Sequence, residues 1–413
     1  MSLTKKPFEK ICVVGLGYIG LPTAGLLASR GFHVHGVDIN LKAVECINKG
    51  VAHIVEPDLD ILVRAGVNSG RLKAYTKPEA ADVFIIAVPT PFKENHQPDV
   101  SFIDSAVESI CPHLNENCLI ILESTSPVGT TARIAEHISN SRPDLKNVAV
   151  AYCPERVLPG SILKELIEND RIIGGVNQAA TEKAMAFYKS FISGAVLPTN
   201  SQTAELAKLS ENAYRDVNIA FANELSLVCD KMQINVWDLI QLANHHPRVK
   251  ILRPGPGVGG HCIAVDPWFI IAAAPEQTPL MTSARLVNDG RPRLTFEKIK
   301  PYFEVLINNK RPLVLMGLAY KPNIDDLRES PAVEIAELIA GAFKGQILIV
   351  EPYIQSLPPK FDQFPHVQLA SQGTATKEAG LVAVLVMHQA FIGLESTLPA
   401  GTPIIDTVGI LKL

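Results

Sequence analysis

The stretch ICVVGLGYIGLPTAGLLASRGFHVHGVDIN, residues 11–40, sets the strongest limit on what this chain can fold into. An apolar run leads into Gly15, Gly17 and Gly20 in a G-x-G-x-x-G pattern, a helix-like segment opens there, and a second apolar run ends at Asp38. This is the strand–turn–helix context in which the glycine pattern carries weight. The glycines have separate tasks. Gly15 permits the tight turn, Gly17 lets backbone approach a pyrophosphate, and Gly20 allows the helix to pack closely, with its free N–H groups offered to phosphate. Asp38 is placed to bond ribose hydroxyls and to repel a 2′-phosphate, so the pattern points to NAD over NADP. A tight turn without a ligand is the alternative reading of the glycines alone.

Apolar runs ICVVG, VHGVD, VFIIAVP, CLIILEST and VAVAYCP alternate with amphipathic segments over residues 9–150, which predicts a sheet covered by helices on both faces. Residues 203–235, free of Gly and Pro, read as one long helix. A Pro/Gly-rich passage follows over 247–267, then a helical segment from about 279, then the strands RPLVLMGLAYKP and GQILIVEPY of a second α/β unit. With 413 residues the chain exceeds the size of one core. The expected fold class is α/β: two Rossmann-like doubly wound parallel-sheet domains joined by a helical central domain. The expected boundaries are 1–200 for an NAD domain, 201–300 for the central domain and 301–413 for the last.

A net charge of −4 with 19% charged residues gives no reason to expect a nucleic acid or an anionic membrane as partner. The longest apolar runs, VFIIAV and GLVAVLVM, fall far short of the ~18 residues of a membrane span. The opening MSLTKKPFEK lacks the apolar region of a signal peptide, so a cytoplasmic location is expected. Seven cysteines without a CxxC pair argue against a disulfide framework or a zinc ribbon. Cys12, Cys46, Cys111, Cys118, Cys153 and Cys229 read as buried thiols.

Cys262 reads differently. It stands in GVGGHCIAVDP, among glycines whose amides can approach a reacting carbonyl, beside His261, which favours the thiolate when protonated, and four residues before Asp266. On the long helix, Glu205, Lys208, Asn212 and Arg215 share one face by spacing. Spacing alone describes a solvated stripe. The apolar density around it suggests burial, in which case Lys208 and Asn212 make an oxyanion clamp. Adjacent histidines at 245 and 246, with His261, offer no ligand spacing, so no metal is expected.

Seven segments, GLGYIGLPTA, VPTPF, ESTSPVGT, AYCPERVLPG, AELAKLSENAYRDVNIAFANE, GPGVGGHCIAVDPWF and GLAYKPNIDDLRESPA, resemble in order the UDP-sugar 6-dehydrogenase family over nearly the whole length. The resemblance implies a dimer with a C-terminal UDP-sugar domain, and oxidation of the sugar C6 alcohol to a carboxylate at the expense of two NAD. It implies Cys262 as the nucleophile, Lys208 and Asn212 at the oxyanion, Asp266 and Thr125 at the water, and Glu155 in thioester hydrolysis. Tyr18, Ile19, Thr90, Thr125 and Arg328 match NAD-contacting positions, with Gly15, Gly17, Gly20 and Asp38. Arg156, Val157, Lys208, Asn212, Arg215, His246, Arg248, Gly259, Tyr320 and Lys321 match substrate-contacting positions. CIAVDP lacks the lysine that glucose-type relatives carry before the acid, which favours a UDP-N-acetylhexosamine, the manno epimer first, with UDP-N-acetylglucosamine and UDP-glucose as alternatives. Val408 stands where relatives carry a basic residue, leaving Lys412 as a substitute or the contact absent. A two-electron dehydrogenase, which needs no Cys262, and a catalytically silent nucleotide-sugar binding module are the competing readings.

Overall fold

The computed structural model describes residues 8–93, 96–158, 160–260 and 262–412, Lys412 by its backbone alone. The chain divides into two compact units, Met1–Ser210 and Glu211–Leu413.

In the first unit the apolar runs become β1 (Lys10–Val14), β2 (His33–Val37), β3 (Leu72–Tyr75), β4 (Val83–Ile86), β5 (Leu119–Leu122), β6 (Ala149–Tyr152), β7 (Arg171–Gly175) and β8 (Val196–Asn200). They form one sheet in the order β3-β2-β1-β4-β5-β6-β7-β8. β1 shows why a continuous apolar run was required: Ile11 and Val13 enter one core cluster while Cys12 and Val14 enter the cluster on the opposite face. The sheet departs from the expected all-parallel arrangement at one joint, where β7 runs antiparallel to β6. The connection there holds the seven-residue helix Ile162–Glu168.

The second unit carries β9 (Leu313–Met316), β10 (Ile347–Val350), β11 (Val367–Leu369), β12 (Leu381–Val384) and β13 (Ile404–Asp406), all parallel, in the order β11-β10-β9-β12-β13. Leu313 and Leu315 of β9 face one cluster, Val314 and Met316 the other. The long helix forms as Ser201–Met232 and ends where Gln233 turns to φ 55°. A buried polar network pins it within the second unit: Arg285 Nη1 donates to Asp216 Oδ1 at 2.6 Å, and Asn288 Nδ2 donates to the same oxygen at 2.8 Å. Asn223 in turn donates to Asn288 Oδ1 at 2.8 Å. Among the described residues no helix is long and apolar enough to cross a membrane. No disulfide links any of the seven cysteines. Five of the six expected core thiols are buried; Cys46, near the end of the amphipathic helix Leu41–Asn48, is only half-buried.

Candidate active site

The turn after β1 has the geometry that its glycines predicted. Gly15 sits at φ 91°, and a Cβ there would lie 2.5 Å from the Ala87 carbonyl oxygen. A Cβ on Gly20 would meet the Gly15 carbonyl oxygen at 1.7 Å, whereas one on Gly17 meets no atom of the described residues within 4 Å. Gly17 therefore faces open space at the start of the helix Gly20–Ser29, which leaves room for a pyrophosphate. Tyr18 and Ile19 form the rim of that turn. Asp38 accepts the amides of Leu16 at 2.9 Å and Asn40 at 2.8 Å, which fixes its carboxylate beside the turn and leaves lone pairs for two ribose hydroxyls. Strand order reverses between β1 and β4, and Thr90 lies just past β4. Its Oγ1 is shielded from water with no hydrogen-bond partner among the described residues, which leaves it available to a ligand. These residues fit NAD.

The carboxyl ends of β5 and β6 supply the next groups. Glu155 is 8% exposed and its Oε2 meets Arg171 Nη1 at 3.1 Å, while Oε1 accepts the Arg156 amide at 2.5 Å. Arg171, itself 3% exposed, also stacks over the Tyr188 ring at 5.7 Å. Behind them Glu123 is wholly enclosed; Tyr188 donates to its Oε1 at 2.7 Å. Burial, moderated by Arg171 and reinforced by Glu155, pushes the Glu123 carboxyl up to about 7. Thr125 follows two residues later, half-buried. Arg156 donates to the Asp170 carbonyl at 3.2 Å, and Val157 packs against the first unit's core.

The solvated-stripe reading of the long helix gives way to a graded face: Glu205 and Lys208 are buried, Asn212 is half-buried and Arg215 is exposed. Glu205 is structural. The helix Thr130–Ser141 starts at Gly129, which has no side chain to cap it, and Glu205 accepts instead from Gly129 N at 2.6 Å, Thr131 N at 2.8 Å and Thr131 Oγ1 at 2.6 Å.

In the second unit Asn212 Nδ2 donates to Asp266 Oδ2 at 2.6 Å. Asp266 is 1% exposed, begins the helix Asp266–Ala273, and donates its amide to the Cys262 carbonyl at 2.8 Å. Cys262 itself is exposed. The turn thus carries the cysteine and the acid, and the Asn212 side chain of the long helix bonds the acid. Its expected neighbour His261 lies outside the described residues. The preceding glycines are needed for close approach: a Cβ on Gly259 would fall 2.4 Å from the Glu329 carbonyl oxygen, and one on Gly260, at φ 84°, 2.7 Å from the Tyr320 ring. Tyr320 therefore lies against the cysteine loop, with Lys321 beside it in sequence.

The remaining expected residues are more dispersed. His246 and Arg248 stand exposed on the turn after the helix Val236–Ala243, where the Arg248 amide donates to His246 Nδ1 at 3.3 Å. Arg328 is paired with Asp326 at 2.6 Å. Val408 packs against the second unit's core, while the Asp406 carboxylate binds the Val408, Gly409 and Leu411 amides at 3.1, 2.7 and 3.0 Å. An apolar side chain at 408 thus has a packing role. The Lys412 side chain lies outside the described residues. Among the described residues no group of three His, Cys, Asp or Glu could hold a metal ion.

Three family models match in chain order: the NAD binding domain of the UDP-glucose/GDP-mannose dehydrogenase family over residues 9–192, its central domain over 202–290 and its UDP binding domain over 314–413. The chain belongs to the UDP-glucose/GDP-mannose dehydrogenase family. As a member of it, the chain is an NAD-dependent dehydrogenase, with the β1 turn in the family's NAD binding domain and β9–β13 in its UDP binding domain. A UDP-N-acetyl-D-mannosamine dehydrogenase of Campylobacter jejuni is 53% identical over 399 residues, 94% of this chain and 98% of its own length. An NDP-N-acetyl-D-galactosaminuronic acid dehydrogenase of Ralstonia nicotianae is 52% identical over 412 residues, 97% of this chain and 96% of the relative. The solved structure of a UDP-D-ManNAc dehydrogenase from Pyrococcus horikoshii is 37% identical with a TM-score of 0.87, covering 97% of this chain and 96% of that one.

Proposed function

We propose that the protein oxidises UDP-N-acetyl-D-mannosamine at C6 to the uronate, through a sugar bound covalently to Cys262. The observation that carries this reading is the turn in which Asp266, buried and oriented by Asn212 at 2.6 Å, is hydrogen-bonded through its amide to the backbone of the exposed Cys262. A two-electron dehydrogenase has no use for a thiol so placed. Bound NAD supplies the hydride acceptor, twice per sugar.

Lys208 takes the C6 hydroxyl proton, directly or through water, as the first hydride departs and the aldehyde forms. The Cys262 thiolate then adds to C6, making a C–S bond, with the resulting oxyanion protonated from the Lys208 side. The carbon again carries a C–H bond from which a second hydride can leave, and loss of the hydroxyl proton yields the thioester. Asp266, fixed by Asn212, and Thr125 hold the water that attacks the thioester carbonyl, Glu155 assists its deprotonation, and Cys262 departs as thiolate. One sugar, two NAD and one water give one uronate, two NADH and three protons. Because the aldehyde is covalently held, it does not escape between the oxidations. Arg156, Val157, Arg215, His246, Arg248, Gly259, Tyr320 and Lys321 contribute to the sugar-nucleotide site, and Arg328 to the cofactor.

The mannosamine relatives support the manno epimer, while the galactosaminuronic relative makes a galacto sugar the second reading. The decisive experiment measures NADH formed per sugar with UDP-N-acetylmannosamine, UDP-N-acetylgalactosamine, UDP-N-acetylglucosamine and UDP-glucose. Two NADH, fastest with the manno sugar, is the expected result; one NADH per sugar overturns the covalent route.

The product is an activated uronic acid donor, which a glycosyl transfer reaction of surface polysaccharide assembly would consume. Seven cysteines without a disulfide suit the reducing cytoplasm. A homodimer is supported by Tyr214, Phe221 and Val228, which recur every seventh residue along the long helix and are 73%, 56% and 43% exposed. Phe221→Glu should sediment as a monomer; an unchanged dimer would remove this helix face from the interface.

A further inference from the structure

The second unit repeats at β9 and β10 the arrangement of β1 and β2. Gly317 follows β9 at φ 96° as Gly15 follows β1 at 91°, and Glu351 follows β10 as Asp38 follows β2. Glu351 Oε2 accepts the Leu318 amide at 2.7 Å, the counterpart of Asp38 accepting Leu16 at 2.9 Å. From there the two acids part. Asp38 is half-buried beside an open turn, whereas Glu351 is buried and also accepts from Ala319 N at 3.0 Å, Tyr353 N at 3.2 Å and His388 Nε2 at 3.0 Å. Burial pushes the Glu351 carboxyl up, but His388 and the two loop amides outweigh it and hold the group below its ordinary range.

His388 is fully enclosed between the Tyr353 and Phe391 rings, at 5.1 and 5.2 Å. Its Nδ1 accepts the Asn323 amide at 2.9 Å. A backbone amide can only donate, so Nδ1 carries no proton and Nε2–H is the donor to Glu351. Asn323 holds a left-handed turn at φ 62°, and its Oδ1 accepts from Gln389 N at 2.9 Å and the Tyr353 hydroxyl at 3.1 Å. The segment 318–323 is therefore clamped at its start by Glu351 and at its end by His388, and the two clamps are bonded to each other. Tyr320 and Lys321 lie between them, the former against Gly260 of the cysteine loop.

We propose that His388 is a positioning residue for the sugar nucleotide: through Asn323 and Glu351 it fixes the segment that presents Tyr320 and Lys321 to the substrate. The proposal rests on the reading that these two residues hold the UDP-sugar. It assigns to a residue remote in sequence, in the loop after β12, control of substrate affinity without contact with substrate, cofactor or thiol.

Glutamine and asparagine separate the two halves of the clamp, because Gln can place an amide near Nε2 and Asn can place an oxygen near Nδ1. Calorimetric titration of the full-length protein with UDP is expected to show His388→Gln binding about tenfold weaker, the scale of one lost hydrogen bond in the clamp. His388→Asn should stay within about threefold of wild type, and both variants should bind NAD as wild type does. Wild-type UDP affinity in His388→Gln while Lys321→Ala is weakened overturns the positioning role; wild-type affinity in Lys321→Ala overturns instead the reading of the site. Equal losses in the Gln and Asn variants also count against the Nδ1 bond as the determinant. Should either variant fail to fold, residue-resolved hydrogen exchange on the wild type decides: the Asn323 amide must exchange slowly although its residue is exposed, and rapid exchange overturns the clamp.

Discussion

Replacing Glu123 by glutamine should remove a pH dependence from the stability of the first unit. In the folded chain this carboxyl keeps its proton up to about 7 because it is buried, while in the unfolded chain it releases it near 4.5. Between those values the native state binds more protons, so its stability contribution is fully present below about 4.5 and is lost as pH rises through about 7. A displacement of roughly 2.5 units at 1.36 kcal/mol per unit makes the loss about 3 kcal/mol between acid and pH 8.5. Glutamine retains an oxygen for the Tyr188 hydroxyl, and whatever its amide donors cost in this buried site does not vary with pH. The difference between wild type and Glu123→Gln should therefore shift in favour of the variant as pH rises to about 7 and level off above it. Opening free energies of the β5 and β6 amides, from hydrogen exchange corrected for intrinsic rates, measure the first unit by itself. A difference that stays flat from pH 5 to 8.5 would refute the argument, and would mean that Arg171 keeps Glu123 ionised throughout.

Cys262→Ser should abolish uronate formation while NAD affinity stays nearly intact, checked by product analysis beside a cofactor titration; normal uronate yield would take the thiol out of the reaction. Asp38→Ala should weaken NAD about tenfold, since the ribose loses a charged acceptor and the Leu16 and Asn40 amides lose their anchor, and the discrimination against NADP should narrow. Unchanged NAD affinity would remove the ribose contact. Arg285→Met leaves Asp216 buried without its cation and should destabilise the second unit by about 3 to 5 kcal/mol, read by chemical denaturation; a shift under 1 kcal/mol would show that Asn288 suffices.

What could be read in the sequence and what could not divide along physical lines. Continuous apolar runs and the glycine pattern are local signals, and β1, β2 and the Asp38 turn lie where those signals placed them. The proximity of Asp266 to Cys262 is local too, because four residues make one turn. Pairings between distant residues leave no such trace. Arg171 and Glu155 meet because β7 reverses direction against β6, and nothing in RIIGG announces a reversal. Asp216 and Arg285 belong to helices whose spacing marks them only as polar positions, and Glu351 and His388 are joined across a sheet. Spacing on the long helix predicted a shared face, but burial along it is decided by what each turn packs against, so Lys208 and Arg215 end in different surroundings.

The cap that Glu205 provides has a consequence for how this chain tolerates change. Its carboxylate keys the long helix to the loop of Gly129 and Thr131, and Lys208 is three residues further along the same helix. One residue inserted between them would turn Lys208 by about 100° about the helix axis while Glu205 stayed docked. Substitutions at positions 206 and 207 change a side chain; insertions or deletions there change the direction of every residue that follows. The interval from 205 to 208 is a fixed length rather than a fixed sequence.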